Sequence, residues 1–323
     1  MKKLEPLSLE GIKTYSLSER HSKVSQADFG SPWEKSGSFK EFIKRLPHIL
    51  AAETLREVAA AWVRARRAER PVLLGMGAHP IKVGLSPVLI DLMQRGLITG
   101  VALNGAGIIH DAEVAMVGRT SEDVDEVLGC GAFGMAKETA EFLNGAIDWG
   151  GHNGLGLGEA VGRRLLESNF PHLDLSLVAK AAALEVPLTV HVAVGTDIIH
   201  LHPSVSPEAL GAATHRDFRL FAALVSDLDD GVFINLGSAV IIPEVFLKAI
   251  TLARNLGHKV APLTTVNLDF MQHYRPLTNV VRRPTAGVGQ GYALTGHHEI
   301  MFPLLAGLVI EEMEESSCLP ISS

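Results

Sequence analysis

The sequence predicts an α/β protein built on a doubly wound parallel sheet, with helices on both faces and a helical insertion. Short apolar runs closed by glycine alternate with helical stretches, as in PVLLGMG (71–77), LSPVLIDLMQRG (85–96) and GVALNGAG (100–107). A strand, helix, strand order at this spacing implies parallel pairing through a right-handed crossover. The alternation stops for some sixty residues and resumes near residue 187, which marks the insertion. Aromatic residues make up only 6% against 47% hydrophobic residues. Leu, Val, Ile and Ala must therefore fill the core, as they do where helices pack on a parallel sheet.

Taken in order, residues 1–38 are polar and mixed and read as an arm that orders against another subunit. Residues 39–68 carry helical apolar spacing, broken near Pro47 into a pair of helices. Residues 71–77 read as a strand, and Ser86-Pro87 opens a helix that ends at Gly96. Residues 100–107 are a second strand, with a helix expected over 110–117. Residues 121–186 are mostly helical, with a glycine-rich break at 149–158 and an amphipathic helix over 174–185. Then follow a strand in VPLTVHVAVG, a helix over 215–228, a strand in GVFINLG, a helix from Pro243 to Gly257, and a strand in HKVAPLTTVN. Residues 274–296 read as a loop rich in Arg, Pro, Gly and Thr, and a helix over 302–312 closes the chain. At least five strands are expected, in a Rossmann-like arrangement, with 1–38 as the arm and 39–323 as a single α/β domain.

Composition removes several classes of function. A net charge of −7 argues against a nucleic-acid surface. Arg64, Arg66, Arg67 and Arg70 share their run with Glu57 and Glu69 and read as a solvated helix face. The two cysteines, Cys130 and Cys318, lie far apart, which argues for a reducing compartment rather than a disulfide framework. Cys130 sits in an apolar, glycine-rich run and is expected to be buried. The start of the sequence lacks the apolar stretch of a signal peptide, and no run is long enough to span a bilayer. The expectation is a cytoplasmic protein with no nucleic-acid or membrane partner.

In a parallel sheet, ligands gather at the carboxyl ends of the strands. Those ends read Gly75-Met76-Gly77-Ala78-His79, Asn104-Gly105-Ala106-Gly107 with His110 and Asp111, Gly195-Thr196-Asp197, Asn235-Leu236-Gly237-Ser238, and Thr264-Thr265 through Asn267 to Asp269. Glycine lets backbone approach a phosphate, and hydroxyl or amide side chains beside it suit ribose and phosphate. No complete G-x-G-x-x-G is present, and a single Gly-x-Gly is more often a tight turn. His200 and His202 follow Asp197, and His297-His298-Glu299 forms another group; both invite a metal reading. The segment 274–292, with three arginines among glycines and prolines, suits an anion or a subunit contact.

With these motifs in place, the chain resembles the deoxyhypusine synthase family over roughly residues 70–312. The likeness is strongest at 72–111, in VLLGMGAHPIKVG and VALNGAGIIHD, and continues at Pro187, Gly195-Thr196-Asp197, Asn235–Ser238, Thr264-Thr265 and Met301-Phe302-Pro303-Leu304-Leu305. The resemblance implies a tetrameric NAD-binding fold that transfers an aminobutyl group from spermidine to a protein lysine. The family's imine-forming lysine is missing, since no lysine follows Lys259. Arg282 and Arg283 fall near its place, but arginine stays protonated and forms no imine. Ile241-Ile242-Pro243 stands where the family has a histidine, and His110 replaces one of its acids.

The sequence therefore predicts an NAD-binding, transferase- or oxidoreductase-type enzyme that is not a deoxyhypusine synthase. His110, Asp111, Asp197 and Asn267 are its expected catalytic residues. Gly75, Gly77, Ala78, His79, Asn104, Gly105, Ala106, Gly107, Thr196, Gly237, Ser238, Thr264 and Thr265 are the expected cofactor contacts. The partners are a small-molecule substrate and further copies of the chain, as a dimer or tetramer. The rivals are a non-catalytic dinucleotide-binding protein and a metal-dependent hydrolase using Asp197, His200 and His202.

Overall fold

The structure, a computed structural model, describes residues 4–315. Six strands form one sheet: β1 (Val72–Met76), β2 (Gly100–Asn104), β3 (Leu188–His191), β4 (Val232–Leu236), β5 (Leu263–Asp269) and β6 (Gly289–Thr295). They run in the order β3-β2-β1-β4-β5-β6, and every neighbouring pair is parallel. The chain starts at β1, works outward to β3, returns to the other flank of β1, and works outward again. The strand order thus reverses between β1 and β4, the place where open sheets of this kind bind ligands outside the carboxyl ends of the strands.

The helices are α1 (Phe39–Arg45), α2 (Leu50–Arg67), α3 (His79–Lys82), α4 (Ser86–Gln94), α5 (Gly105–Val117), α6 (Val124–Val127), α7 (Lys137–His152), α8 (Leu157–Leu166), α9 (Leu177–Ala183), α10 (Pro207–Ser226), α11 (Ile241–Asn255), α12 (Tyr274–Pro276) and α13 (His298–Glu315). Alternate strand residues serve two cores, as the two-residue period of a strand requires. Val72, Leu74, Met76, Val101, Leu103, Ile234 and Val266 join one core with α2, α4, α5 and α13. Leu73, Ala102, Phe233 and Leu263 join the other with α10 and α11, where Phe233 and Phe246 stack at 3.7 Å. Buried Trp62 is tied to the sheet side by a 2.8 Å bond from Nε1 to the Leu97 carbonyl. The expected insertion is α6–α9, between β2 and β3.

Several expected boundaries shift. β6 is a strand, although 274–296 reads as a loop: a β-carbon on Gly289 or Gly291 would strike the Leu263 or Val281 backbone, so these glycines mark close approach rather than a turn. Residues 277–282 within that stretch form a π-helical turn. α5 begins at Gly105, five residues ahead of the expected 110, because the Asn104 side chain caps it through the Gly107 amide. α9 covers less than the expected 174–185, since Ser176 caps it and Leu173–Leu175 is a separate 3-10 turn. α10 starts at Pro207 behind the Ser206 cap, ahead of the expected 215. Cys130, expected to be buried, is exposed on the insertion; Cys318 lies outside the described residues. Ahead of α1, the chain from residue 4 exposes Leu4, Leu7, Leu9, Tyr15, Phe29 and Trp33. No helix among the described residues is long and apolar enough to cross a membrane.

Candidate functional site

The carboxyl edge of the sheet carries two polar groups, one on each flank of β1, and α3 joins them. On the β4 side, the turns after β1 and β4 touch: a β-carbon on Gly77 would lie 2.7 Å from the Gly237 carbonyl oxygen. Gly237 has a left-handed φ of 66°, and a β-carbon there would meet His298 Cε1 at 2.6 Å. Both positions therefore need glycine for close packing. Ser238 is buried, and its Oγ accepts from the Ile242 amide at the start of α11. Asn235 Nδ2 donates to the Ser238 carbonyl and to Asn267 Oδ1 at 2.7 Å, while Asn267 Nδ2 donates to Gln272. Asn267 thus braces β4 against β5, whereas Asn235 Oδ1 is buried with no hydrogen-bond partner among the described residues.

His298, the first residue of α13, is fully buried above this turn. Its Nδ1 lies 2.8 Å from His79 Nδ1, and its Nε2 lies 3.5 Å from Asp269 Oδ1. Burial pushes the His298 ring toward its neutral form, and the adjacent Asp269 pulls the other way. Phe270 packs near both histidines, 5.8 Å from each ring.

On the β2 side, Lys82, Ala106, His110, Glu113, Glu122, Thr196 and Asp197 line a cavity of about 210 Å³. A shallower hollow of about 540 Å³ shares Glu113 and Glu122. Asp197 is 7% exposed, yet its Oδ2 has no hydrogen-bond partner. Burial raises its pKa to about 6, with the Thr196 hydroxyl opposing. Asp197 Oδ2 occupies the space that a side chain at Gly105 would need. His200 accepts the Gly195 amide at Nδ1, so its proton sits on Nε2, 4.0 Å from Asp197 and otherwise unpaired. His110 Nδ1 bonds Thr120 Oγ1 at 2.6 Å, and the same hydroxyl bonds Glu113. Burial lowers the His110 pKa, Glu113 raises it, and Lys82 lowers it.

The expected site residues divide on this geometry. Gly77, Ala78, His79, Gly237 and Ser238 lie in the turns after β1 and β4, while Ala106, His110, Thr196 and Asp197 line the cavity. Four depart from expectation. Thr264 and Thr265 sit at the amino end of β5, paired with Val232 and Phe233, and Thr265 bonds the Val280 carbonyl. β5 continues to Asp269, so its true carboxyl end lies beyond them. Gly75 lies within β1, where Ile242 and Phe233 fill the space of its missing side chain. Asp111 points away from the cavity, two turns into α5 rather than in its first turn. Its carboxylate accepts from Ser176 Oγ at 2.5 Å, the Leu177 amide at 2.7 Å and the Val178 amide at 3.3 Å, which caps α9.

The metal reading of Asp197, His200 and His202 is corrected as well. His202 turns to Ser204, and no group of three His, Cys, Asp or Glu side chains gathers to hold a metal among the described residues. The sequence reading leaves the paired roles of His298 and Asp269 unassigned. Their signal was a histidine at a helix start facing an aspartate at a strand end, legible only once β5 is given its full length.

No family model matches the chain, and no curated protein matches it. Solved structures do. The ternary complex of AgrE with ornithine and NAD+ has a TM-score of 0.52 at 15% identity, over 81% of this chain and 33% of that one. Apo ArgZ, an arginine dihydrolase from the ornithine-ammonia cycle in cyanobacteria, has a TM-score of 0.51 at 15% identity, again over 81% and 33%. A deoxyhypusine-synthase-like protein from Entamoeba histolytica has a TM-score of 0.49 at 12% identity, over 87% of this chain and 96% of that one. The AgrE and ArgZ likenesses are likenesses of fold. The chain spans about a third of the length of AgrE and ArgZ.

Proposed function

We propose that this chain is an NAD-dependent enzyme of deoxyhypusine-synthase-like plan that acts on a small molecule and is not a deoxyhypusine synthase. The observation that carries the reading is the strand-order reversal at β1 and β4, where the Gly77 and Gly237 turns meet at the carboxyl edge. The residues fit a dinucleotide there. The turns bring Gly77-Ala78 and Gly237-Ser238 together, α11 begins just beyond, and the buried Asn235 Oδ1 has unused bonding capacity. The start of α5 fits a phosphate less well, because the Asp197 carboxylate covers Gly105. We therefore assign Gly77, Ala78, Gly237 and Ser238 to the pyrophosphate and ribose, with His79 at the start of α3, whose far end, Lys82, lines the adjoining cavity. A bound nicotinamide would supply hydride transfer.

The substrate belongs in the adjoining cavity. Its carboxylates, Asp197, Glu113 and Glu122, face a single lysine, Lys82, which suits a compound bearing an amine. AgrE forms a ternary complex with ornithine and NAD+, a combination consistent with this reading. His110 and Asp197 are the groups able to bind and orient such a molecule. Absence of any lysine after Lys259 argues against the covalent imine route. The apolar side chains exposed ahead of α1 favour an arm that docks on a second copy, in a dimer or tetramer.

Native mass spectrometry and a thermal melt with added NAD test the reading. NAD at about 100 times its dissociation constant should add about 2.7 kcal/mol to stability. A chain that carries no dinucleotide, and shows no shift at millimolar NAD or NADH, would refute it.

A further inference from the structure

The three groups His79, His298 and Asp269 come from β1's turn, α13 and β5, and nothing in the fold requires them to meet. They form one line. Asp269 Oδ1 faces His298 Nε2 at 3.5 Å, and His298 Nδ1 faces His79 Nδ1 at 2.8 Å. His298 is fully buried and has no closer polar partner at Nε2. His79 is half-buried, and its Nε2 makes no hydrogen bond among the described residues.

Hydrogen-bond rules fix where the protons go. A neutral imidazole has one donor and one acceptor nitrogen. Two Nδ1 atoms at 2.8 Å need one donor and one acceptor between them. The Asp269 carboxylate faces Nε2 and favours the ring proton on that nitrogen. With that proton on Nε2, His298 Nδ1 is bare and accepts from His79 Nδ1–H. The His79 proton is then committed to the interior, and Nε2 is left as the basic nitrogen of a half-buried ring. A purely structural histidine pair would not need this. The fold keeps a left-handed glycine at 237 with His298 occupying the space of its missing side chain, and it places a carboxylate behind a buried ring.

We propose that Asp269, His298 and His79 are a proton relay, and that His79 Nε2 takes a proton from a hydroxyl or amine of the bound small molecule. The O–H or N–H bond breaks, its electron pair stays on the oxygen or nitrogen, and an Nε2–H bond forms. The imidazolium charge on His79 is stabilised through His298 Nδ1, and His298 is in turn oriented by Asp269. His79 is the catalytic base; His298 and Asp269 are positioning residues. The 3.5 Å gap to Asp269 is loose, as such bonds often are before a ligand closes the site. The inference rests on this edge of the sheet being an active site, but the proton positions can be read without substrate or NAD.

The test is imidazole-nitrogen NMR of the full chain labelled at histidine, above pH 8 where ordinary histidines are neutral. His79→Gln and His298→Gln variants assign the two rings. The wild type should show His79 protonated at Nδ1 and His298 at Nε2. In Asp269→Asn, an amide N–H facing Nε2 reverses His298, and the His79 tautomer should reverse with it, two residues away from the change. Diethyl pyrocarbonate, which attacks a bare imidazole nitrogen, should modify His79 faster in the wild type than in Asp269→Asn by several-fold. A His79 protonated at Nε2 in the wild type, or unmoved by Asp269→Asn in a protein with unchanged near-UV dichroism, would overturn the relay. The same variants titrated with NAD separate the two ideas: correct tautomers without NAD binding would leave the relay standing and sink the dinucleotide reading.

Discussion

Asp111 and Asp197 are both buried near α5, and burial raises both to a pKa of about 6. Their surroundings differ completely. Asp111 receives three hydrogen bonds at the start of α9. Asp197 lines a cavity with one oxygen unpartnered and an unpaired His200 N–H at 4.0 Å. A shifted pKa alone therefore does not mark function. A carboxylate whose bonds are all made inside the fold holds the fold together. A carboxylate buried at a cost, with capacity left over beside a cavity, is available to a ligand.

The largest expected effect tests the structural half of that contrast. Asp111→Ala removes the acceptor for two buried amides and one hydroxyl at once. Buried donors left unpaired cost about 1–3 kcal/mol each, so the variant should lose roughly 3–5 kcal/mol in urea unfolding. Asp111→Asn keeps one carbonyl oxygen and should lose about half as much. A loss under about 1 kcal/mol for Asp111→Ala would show that the cap carries little, and would return Asp111 to the list of functional candidates.

Asp197→Asn tests the other half and should act in the opposite direction. The folded-state pKa lies above the ordinary carboxylate value, so between about pH 4 and pH 6 the folded chain binds more protons than the unfolded one. Stability from this group is therefore present at low pH and lost as pH rises through that window. The rise from 3.8 to about 6, at about 1.4 kcal/mol per pH unit, makes the buried charge cost roughly 3 kcal/mol at neutral pH. Asp197→Asn should match the wild type near pH 4 and exceed it by about 2–3 kcal/mol at pH 7. Asp111 keeps its own slope in both proteins, so the difference isolates Asp197. A variant less stable than wild type at pH 7 would make Asp197 a second Asp111.

These two aspartates also show how far the sequence could be read. The parallel sheet, the insertion and the first five strands follow from apolar runs punctuated by glycine, because strand burial and helix periodicity are local properties of the chain. β6 escaped because Gly289 and Gly291 are there for close backbone approach, which looks like a turn in one dimension. Thr264 and Thr265 read as carboxyl-end residues but lie at the amino end of β5, because strand length is set by pairing with β4, not by composition. Asp111 looked like a ligand-facing acid because its partners Ser176, Leu177 and Val178 lie more than sixty residues away. His298 and Asp269 likewise meet only in three dimensions. The strand-end positions of the carboxyl edge were legible; which side chains there are already satisfied was not.

The smallest expected effect sharpens the comparison at the residue that stands between the two regions. Asn104 ends β2, and its Oδ1 accepts from the Gly107 amide at 3.1 Å, which caps α5. That bond is the whole account of Asn104 if it behaves like Asp111. Asn104→Ala should then cost about 1 kcal/mol, the usual loss for a missing helix cap, and leave NAD affinity unchanged. Asn104→Ser supplies a hydroxyl cap and should restore most of the stability. If Asn104 instead resembles Asp197, its amide also serves the ligand, and Asn104→Ala should lose stability and affinity together. Asn104→Ser then becomes the informative variant, because it repairs the cap while lacking the amide. Urea unfolding and an NAD titration on the same two proteins read both properties. Recovered stability with recovered affinity makes the cap the entire role. Recovered stability with affinity still reduced several-fold places Asn104 among the residues that touch the cofactor.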